Sequence, residues 1–216
     1  MSFDNIVVEK PWGHEYVLYE NDNLAIWHLV IKPGYGTSFH SHPHKKTGLI
    51  LLDGKALVSF MNDERVLNKF DKIIVRVGVF HKTFNIDTED LHLLEVETPK
   101  DKGDILRLED NYGRAGQPYE GAEHYTARRG ELTLCDAAPR WFKNIGMYRM
   151  QVDSYDDLKS IGRYKAIILD GCIHMNQIEA AGVGDLLDET TLYRLANKFD
   201  TKFPLDLLIL KNESQF

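Results

Sequence analysis

Residues 34–42 read Gly34-Tyr35-Gly36-Thr37-Ser38-Phe39-His40-Ser41-His42, and their reading decides the fold. Two imidazoles stand two residues apart, so on a strand both point to the same face. The surroundings read as strand. Short apolar or alternating runs follow one another: EYVLY (15–19), LAIWHLVI (24–31), TSFHS (37–41), GLILL (48–52), KALVSFM (55–61), RVLNKF (65–70), KIIVRV (72–77), HKTFNI (81–86) and LHLLEVE (91–97). Between them lie Asn21-Asp22-Asn23, Pro33-Gly34, Asp53-Gly54, Asn62-Asp63 and Asp87-Thr88, residues that tolerate turn geometry. Asp53-Gly54 between two apolar runs is a hairpin signal. The pattern predicts an all-β sandwich or barrel. His40 and His42 then face its interior, where they can converge on a first-row divalent cation if another strand supplies a third ligand. His81, after the turn at Gly78, is the natural third.

Beyond GDILRLEDNYGR (103–114) the chain turns polar and Gly-rich, AGQPYEGAEHYTARRGE, which reads as a linker or long loop over 115–130. Strand-like runs resume in a β-rich region, 131–216: MYRMQV (147–152), KAIILDGCIHM (165–175) and LDLLIL (205–210), with short helices expected at SYDDLKS and LYRLANKF. IILDG at 167–171 can be laid on Leu51-Leu52-Asp53-Gly54, which would make the second half a duplicated barrel. In that alignment Asp157 and Lys159 fall where the first half has His40 and His42. The other reading is a β extension with no such ancestry.

The composition narrows the partners. Of 216 residues 43% are hydrophobic, enough for one substantial core or two small ones. A formal net charge of -7 argues against nucleic acid, whose phosphates demand Lys and Arg. A small anionic ligand needs only a local basic pocket. The N-terminus lacks the basic and apolar regions of a secretory signal, and no uncharged run of about 18 residues could span a membrane. A cytoplasmic protein that binds no membrane is expected. Cys135 and Cys172 lie far from any metal-binding or disulfide spacing and are expected to be ordinary buried thiols.

Two motifs carry a family resemblance. Gly34, His40-x-His42 and Gly54, followed by Gly78-x-x-His81-x-x-x-Asn85, resemble the paired motifs of the cupins. Thr47 stands where those motifs place a Glu, and Arg76 and Phe70 stand where they place a Pro and a Gly. The flanks EKPWGHEY (9–16), VIKPGYGTSFHSHPHKKTGLILLDGKA (30–56) and GDILRLEDNYGR (103–114) resemble the isomerase domain of type II mannose-6-phosphate isomerases. The resemblance implies a cupin barrel, a double-stranded β-helix or jelly roll, over 1–114. The second half then becomes either a degenerate second cupin, making a bicupin, or the plain extension.

The activity implied is aldose–ketose isomerisation of a phosphorylated sugar by proton transfer beside a carbonyl, assisted by a divalent ion (zinc, nickel, manganese or iron). His40, His42 and His81 would hold the metal and, with Thr47, form the catalytic set. His44, Lys45, Lys46, Arg76 and Arg114 would bind substrate, a sugar phosphate or nucleotide sugar, unless they are solvated surface charges. Two alternatives share the cluster: a metal-free sugar-nucleotide ketoisomerase or epimerase using neutral histidines as proton shuttles, and a non-catalytic carbohydrate-binding or regulatory module. An iron or nickel dioxygenase is a third use of such histidines. Apolar edge strands make a homodimer the expected assembly.

Overall fold

Alternating side chains explain the first unit. In the computed structural model, which describes residues 3, 5–134, 138–161 and 163–213, the chain divides into units of residues 1–131 and 132–216. The first contains β1 (Ile6–Lys10), β2 (Gly13–Glu20), β3 (Ala25–Ile31), β4 (Phe39–Ser41), β5 (Lys46–Asp53), β6 (Ala56–Phe60), β7 (Glu64–Leu67), β8 (Lys72–Val75), β9 (His81–Asn85), β10 (Leu91–Thr98), β11 (Leu106–Glu109) and β12 (Tyr125–Ala127). They form two antiparallel sheets, ordered β12-β1-β2-β3-β10-β5-β8 and β11-β4-β9-β6-β7. Ala25, Trp27, Leu29 and Ile31 of β3, Leu49 and Leu51 of β5, and Leu91 and Leu93 of β10 share one inward face. Ala56 and Val58 of β6 meet them from the second sheet.

Turn chemistry sets the register. Gly34, Gly54 and Gly78, the motif glycines, all have positive φ, +75°, +89° and +75°. At Gly54, which closes the β5–β6 hairpin, a Cβ would also press to 3.2 Å from the Leu91 side chain. Gly13 is more constrained. It follows Trp12, whose carbonyl accepts the Lys32 N–H at 2.9 Å, and it lies so close to β3 that a Cβ would sit 2.0 Å from the Val30 carbonyl oxygen. Only a residue without a side chain lets β2 pair there.

The segment read as a linker or long loop, 115–130, folds onto the first unit. Its β12 pairs antiparallel with Ile6–Val8, and Arg107 donates to the carbonyls of Gln117 and Pro118 at 2.8 and 2.5 Å. Its polar, Gly-rich composition hid this, because the segment is held by backbone and charged groups rather than by an apolar stripe.

The second unit holds β13 (Arg140–Phe142), β14 (Ile145–Val152), α1 (Tyr155–Ser160), β15 (Lys165–Met175), β16 (Ile178–Ala181), β17 (Leu186–Asp188), α2 (Glu189–Lys198) and β18 (Asp200–Asn212). Both helices lie close to where the sequence places them. The strands make one antiparallel sheet, β13-β14-β18-β15-β16, with β17 also on β15. Leu158 of α1 and Leu192 and Ala196 of α2 pack on one face of it, against Val152, Ala166, Ile168, Leu205, Leu207 and Ile209. Ser154 and Asp157 cap α1, and the Asp188 carboxylate accepts the Thr191 N–H at 2.9 Å to cap α2.

The hairpin match behind the duplicated-barrel reading has no counterpart in this arrangement. Asp170-Gly171, which resembles the Asp53-Gly54 hairpin, lies inside one unbroken strand as a bulge, with register shifts on both sides of Asp170. Asp157 lies on a helix. Two identical dipeptides with positive-φ glycines thus serve different ends, and a match of four residues could not tell them apart. Cys172 is free and half-buried, and Cys135 lies outside the described residues. Among the described residues no helix is long and apolar enough to cross a membrane.

Gly13→Ala is expected to destabilise the first unit by more than ~1 kcal/mol, because the clash is with backbone and outweighs the gain that Ala brings at an unstrained glycine site. Urea unfolding should show a lowered midpoint, and an unchanged midpoint would contradict the close approach of β2 to β3.

Candidate functional site

β4 and β9 are antiparallel neighbours, and their register sets His40 directly against His81. His42 continues on the face of His40, so the three rings close on one point. Their centroids are 4.5 Å apart for His40–His81, 4.9 Å for His40–His42 and 5.5 Å for His42–His81. One ring nitrogen from each lies within 4.8 Å of the others, and all three residues are buried.

Hydrogen bonds fix which nitrogen each ring offers. Each Nδ1 contacts a backbone carbonyl, which can only accept: His40 donates to Ser38 at 2.8 Å, His42 to Asp104 at 2.6 Å and His81 to Val79 at 3.2 Å. The proton is therefore on Nδ1, and Nε2 keeps its lone pair. His42 Nε2 is buried with no hydrogen-bond partner. Burial keeps all three rings neutral, aided by their neighbours. His40 is held well below its ordinary value, mainly by burial and then by His81 and His42. Burial and the nearby Lys45 ammonium take His42 to about 2, and burial takes His81 to about 4 against its hydrogen bond to Val79. Three neutral imidazoles with inward lone pairs, one of them unsatisfied, fit a divalent ion of the zinc, nickel, manganese or iron class.

The pocket that His40 and His42 line also holds charges, most of them not foreseen from the sequence. Lys10, Trp12 and Glu15 line it, as do Glu95 and Glu97 of β10, Lys102, Arg107 of β11, Arg114 and Tyr119. Lys102 lies among three carboxylates, 3.3 Å from Glu15, 3.0 Å from Glu97 and 3.6 Å from Glu95, with its ammonium 3.9 Å above the Trp27 ring. Burial opposes its charge, but Glu15, Glu97 and Glu95 prevail and hold its pKa above the ordinary lysine value. Lys10 bridges Glu15 and Glu120, and Glu120 also accepts Arg107 and Arg114. The Tyr119 hydroxyl donates to Glu15 at 2.5 Å. Against its burial, Lys10 and Lys102 take Glu15 down to about 2.

Strand parity could have revealed part of this network. Leu91, Leu93, Glu95 and Glu97 alternate on one face, so an inward apolar stripe turns acidic at one end of the barrel. The EKPWGHEY and GDILRLEDNYGR flanks, informative at first only as a resemblance, supply Lys10, Trp12, Glu15, Arg107 and Arg114.

The predicted substrate-binding residues separate. Lys45 is buried and donates to Glu97 and to the Asp101 carbonyl, both at 2.8 Å, so it enters the pocket already paired. Arg114 also lines the pocket but is held by Asp110 at 2.7 Å and by Glu120. His44 is not brought to the cluster. Its side chain is 85% exposed and donates to Asp104 at 2.9 Å. The cause is Asp104, whose carboxylate accepts the backbone N–H groups of His44 and Lys45 and turns the chain outward after Pro43. Arg76 is exposed in the turn after β8, and Lys46 does not line the pocket. Thr47 faces inward on β5 with its hydroxyl buried and unpartnered, directly across from Glu97.

Residues 4–110 match the family described as mannose-6-phosphate isomerase C-terminal. The chain is 28% identical over 109 residues to a mannose-1-phosphate guanylyltransferase of Escherichia coli strain K12, covering 50% of this chain and 23% of that protein. It is 28% identical over 113 residues to the alginate biosynthesis protein AlgA of Pseudomonas aeruginosa, covering 51% of this chain and 24% of the relative. The chain thus spans about a quarter of the length of these relatives. A Klebsiella pneumoniae protein with a double-stranded β-helix domain superposes with a TM-score of 0.41 at 22% identity, over 44% of this chain and 84% of its own.

Asp104 carries two duties, since its carbonyl orients His42 and its carboxylate holds the outward turn. Asp104→Ala keeps the carbonyl but removes the carboxylate that fixes it in place, and is expected to weaken binding of zinc by up to about 10- to 100-fold, read by titration against a competing chelator. Unchanged affinity would show that the carboxylate's hold on the turn is not needed to aim His42.

The metal-free protein should lose stability as the pH falls below 6.5, the ordinary histidine value. The unfolded imidazoles take up protons that the folded ones refuse until about 4 for His81 and about 2 for His42. Each such histidine contributes a slope of about 1.4 kcal/mol per pH unit in that window. Urea unfolding near pH 6.5 and about pH 5 measures it, and a flat profile would contradict neutral burial.

Proposed function

The N-terminal unit is a cupin of the mannose-6-phosphate isomerase C-terminal kind, and from that premise we propose that it isomerises a phosphorylated sugar by moving a proton between C1 and C2. The observation that carries this reading is the convergence of three neutral Nε2 lone pairs from His40, His42 and His81, two of these histidines lining a pocket that also holds buried carboxylates. A divalent ion bound there would supply Lewis acidity toward the sugar oxygens. The chain's own groups do the rest. In the aldose-to-ketose direction a base takes the C2 proton, the C2–H electron pair becomes the C1–C2 double bond and the carbonyl pair settles on O1. The proton then returns to C1 while the O2 hydroxyl proton is passed to O1, leaving a carbonyl at C2. The buried, hydrogen-bonded walls hold the enediol away from bulk water.

The pocket's cations, Lys10, Lys45, Lys102, Arg107 and Arg114, are each paired with a carboxylate, so the phosphate would sit toward the mouth rather than deep inside. The same pairing, with Thr47 in place of an acid, supports a second reading. In it the neutral histidines themselves pass the proton, without metal, on a nucleotide sugar.

One experiment separates the two. The purified chain is analysed for zinc, nickel, manganese and iron, then incubated with mannose 6-phosphate in D2O while conversion and deuterium entry at C2 are followed by NMR. The isomerase reading expects retained metal and exchange that falls at least about 100-fold in His81→Ala together with loss of the metal. Exchange on a nucleotide sugar by metal-free protein would favour the second reading. Absence of both activities, with and without metal, would remove the enzymatic proposal.

A further inference from the structure

Resting on the isomerase reading, we infer that Glu95 is the general base of this site, standing in for the acid that Thr47 replaces, with Lys102 as its positioning residue. Glu15, Glu95 and Glu97 line the pocket, and Glu120 and Asp110 pair with its cations. Glu97 accepts Lys45 at 2.8 Å and Lys102 at 3.0 Å. Glu15 accepts Tyr119 and pairs with Lys10 and Lys102. Glu120 is taken by Lys10, Arg107 and Arg114, and Asp110 by Arg114 and by backbone N–H groups. These four are committed to holding cations. Among the described residues the Glu95 carboxylate has one ionic partner, Lys102, at 3.6 Å, beyond hydrogen-bond length.

Position supports the same choice. Glu95 lies on the inward face of β10, two residues from Glu97 and across the ladder from Leu49, which is itself two residues from Thr47 on β5. Residues 47, 95 and 97 therefore share one interior face, and a carboxylate lost from β5 has a neighbour on β10. Glu95 lines the pocket that His40 and His42 also line.

The electrostatics suit a base. Burial, opposed by Lys102 and aided by Glu97 and Glu15, raises Glu95 to about 6, and Lys45 is the other charge that acts on it. Such a carboxylate is ionised at neutral pH yet binds a proton well enough to take one from carbon. In the reaction it would accept the C2 proton as the C2–H pair becomes the C1–C2 double bond, and then deliver to C1, or back to C2, the proton its carboxyl carries after partial exchange with solvent.

The test uses the full chain loaded with zinc and Glu95→Gln, a substitution of nearly equal shape, with mannose 6-phosphate in D2O as probe. Deuterium entry at C2 is expected to fall about 10²- to 10⁴-fold, while zinc content stays that of the wild type. A readout independent of turnover accompanies it. The infrared difference between about pH 7.5 and about pH 5 should contain a protonated-carboxyl band that Glu95→Gln removes. Glu95→Asp, which keeps the carboxylate, should keep that band and recover part of the exchange, so a folding defect cannot imitate the result. Wild-type exchange that survives in Glu95→Gln overturns the assignment and leaves the isomerase reading standing. A wild type that exchanges nothing removes that reading and the assignment with it.

Discussion

A buried charge in a β-barrel must find its partner inside the barrel, and this constraint organises the first unit. Lys102 is the centre of it, an ammonium over the Trp27 ring with Glu15, Glu95 and Glu97 around it. Those three carboxylates arrive from β2 and β10, and Lys10, Arg107 and Arg114 extend the pairing through Glu120 to β1, β11 and the segment that follows. Removing Lys102 would leave its desolvated carboxylates without their shared cation, at a cost of several kcal/mol. The network therefore ties the returning segment 115–130 to the barrel, although that segment offers little apolar surface.

The histidine cluster obeys a different rule. It carries no charge, and its order comes from backbone carbonyls. Ser38, Asp104 and Val79 each accept one Nδ1 proton, so the three lone pairs are aimed by main chain that is itself fixed by strand pairing. Asp104 connects the two systems: its carbonyl sets His42, and its carboxylate ends the histidine strand before His44 can join the cluster. Lys45, released by that same turn, crosses to Glu97. One residue outside both cupin motifs thus decides that the site has three histidines and not four.

The family match ends at residue 110, and the second unit follows its own design, an antiparallel sheet with two helices on one face. It is built from the same kinds of run as the barrel, apolar strands broken by turns such as Lys143-Asn144 and Asn176-Gln177. What distinguishes it is the helical stripe of Leu158, Leu192 and Ala196, which gives its sheet a layer to pack against in place of a second sheet.

The sequence by itself determined the strands of the first unit, its glycine turns and the face shared by His40 and His42, because each rests on local geometry: period-two alternation, positive φ and two-residue spacing. Parity also made His81 and the inward direction of Thr47 legible once the pairing of two motifs was assumed. Only the tertiary structure decided which charges meet. Lys10, Glu15, Lys102 and Arg107 are far apart in sequence and look like ordinary surface residues, and parity, which marks Glu95 as inward, does not tell which cation it meets. The fate of Asp170-Gly171 was likewise beyond local reading, since the same dipeptide can close a hairpin or bulge a strand according to what its neighbours pair with. Ion pairing and strand partnership are long-range, so residues such as His44 and Arg76 could be placed near the site by sequence spacing and then turned away by Asp104 and by a surface turn.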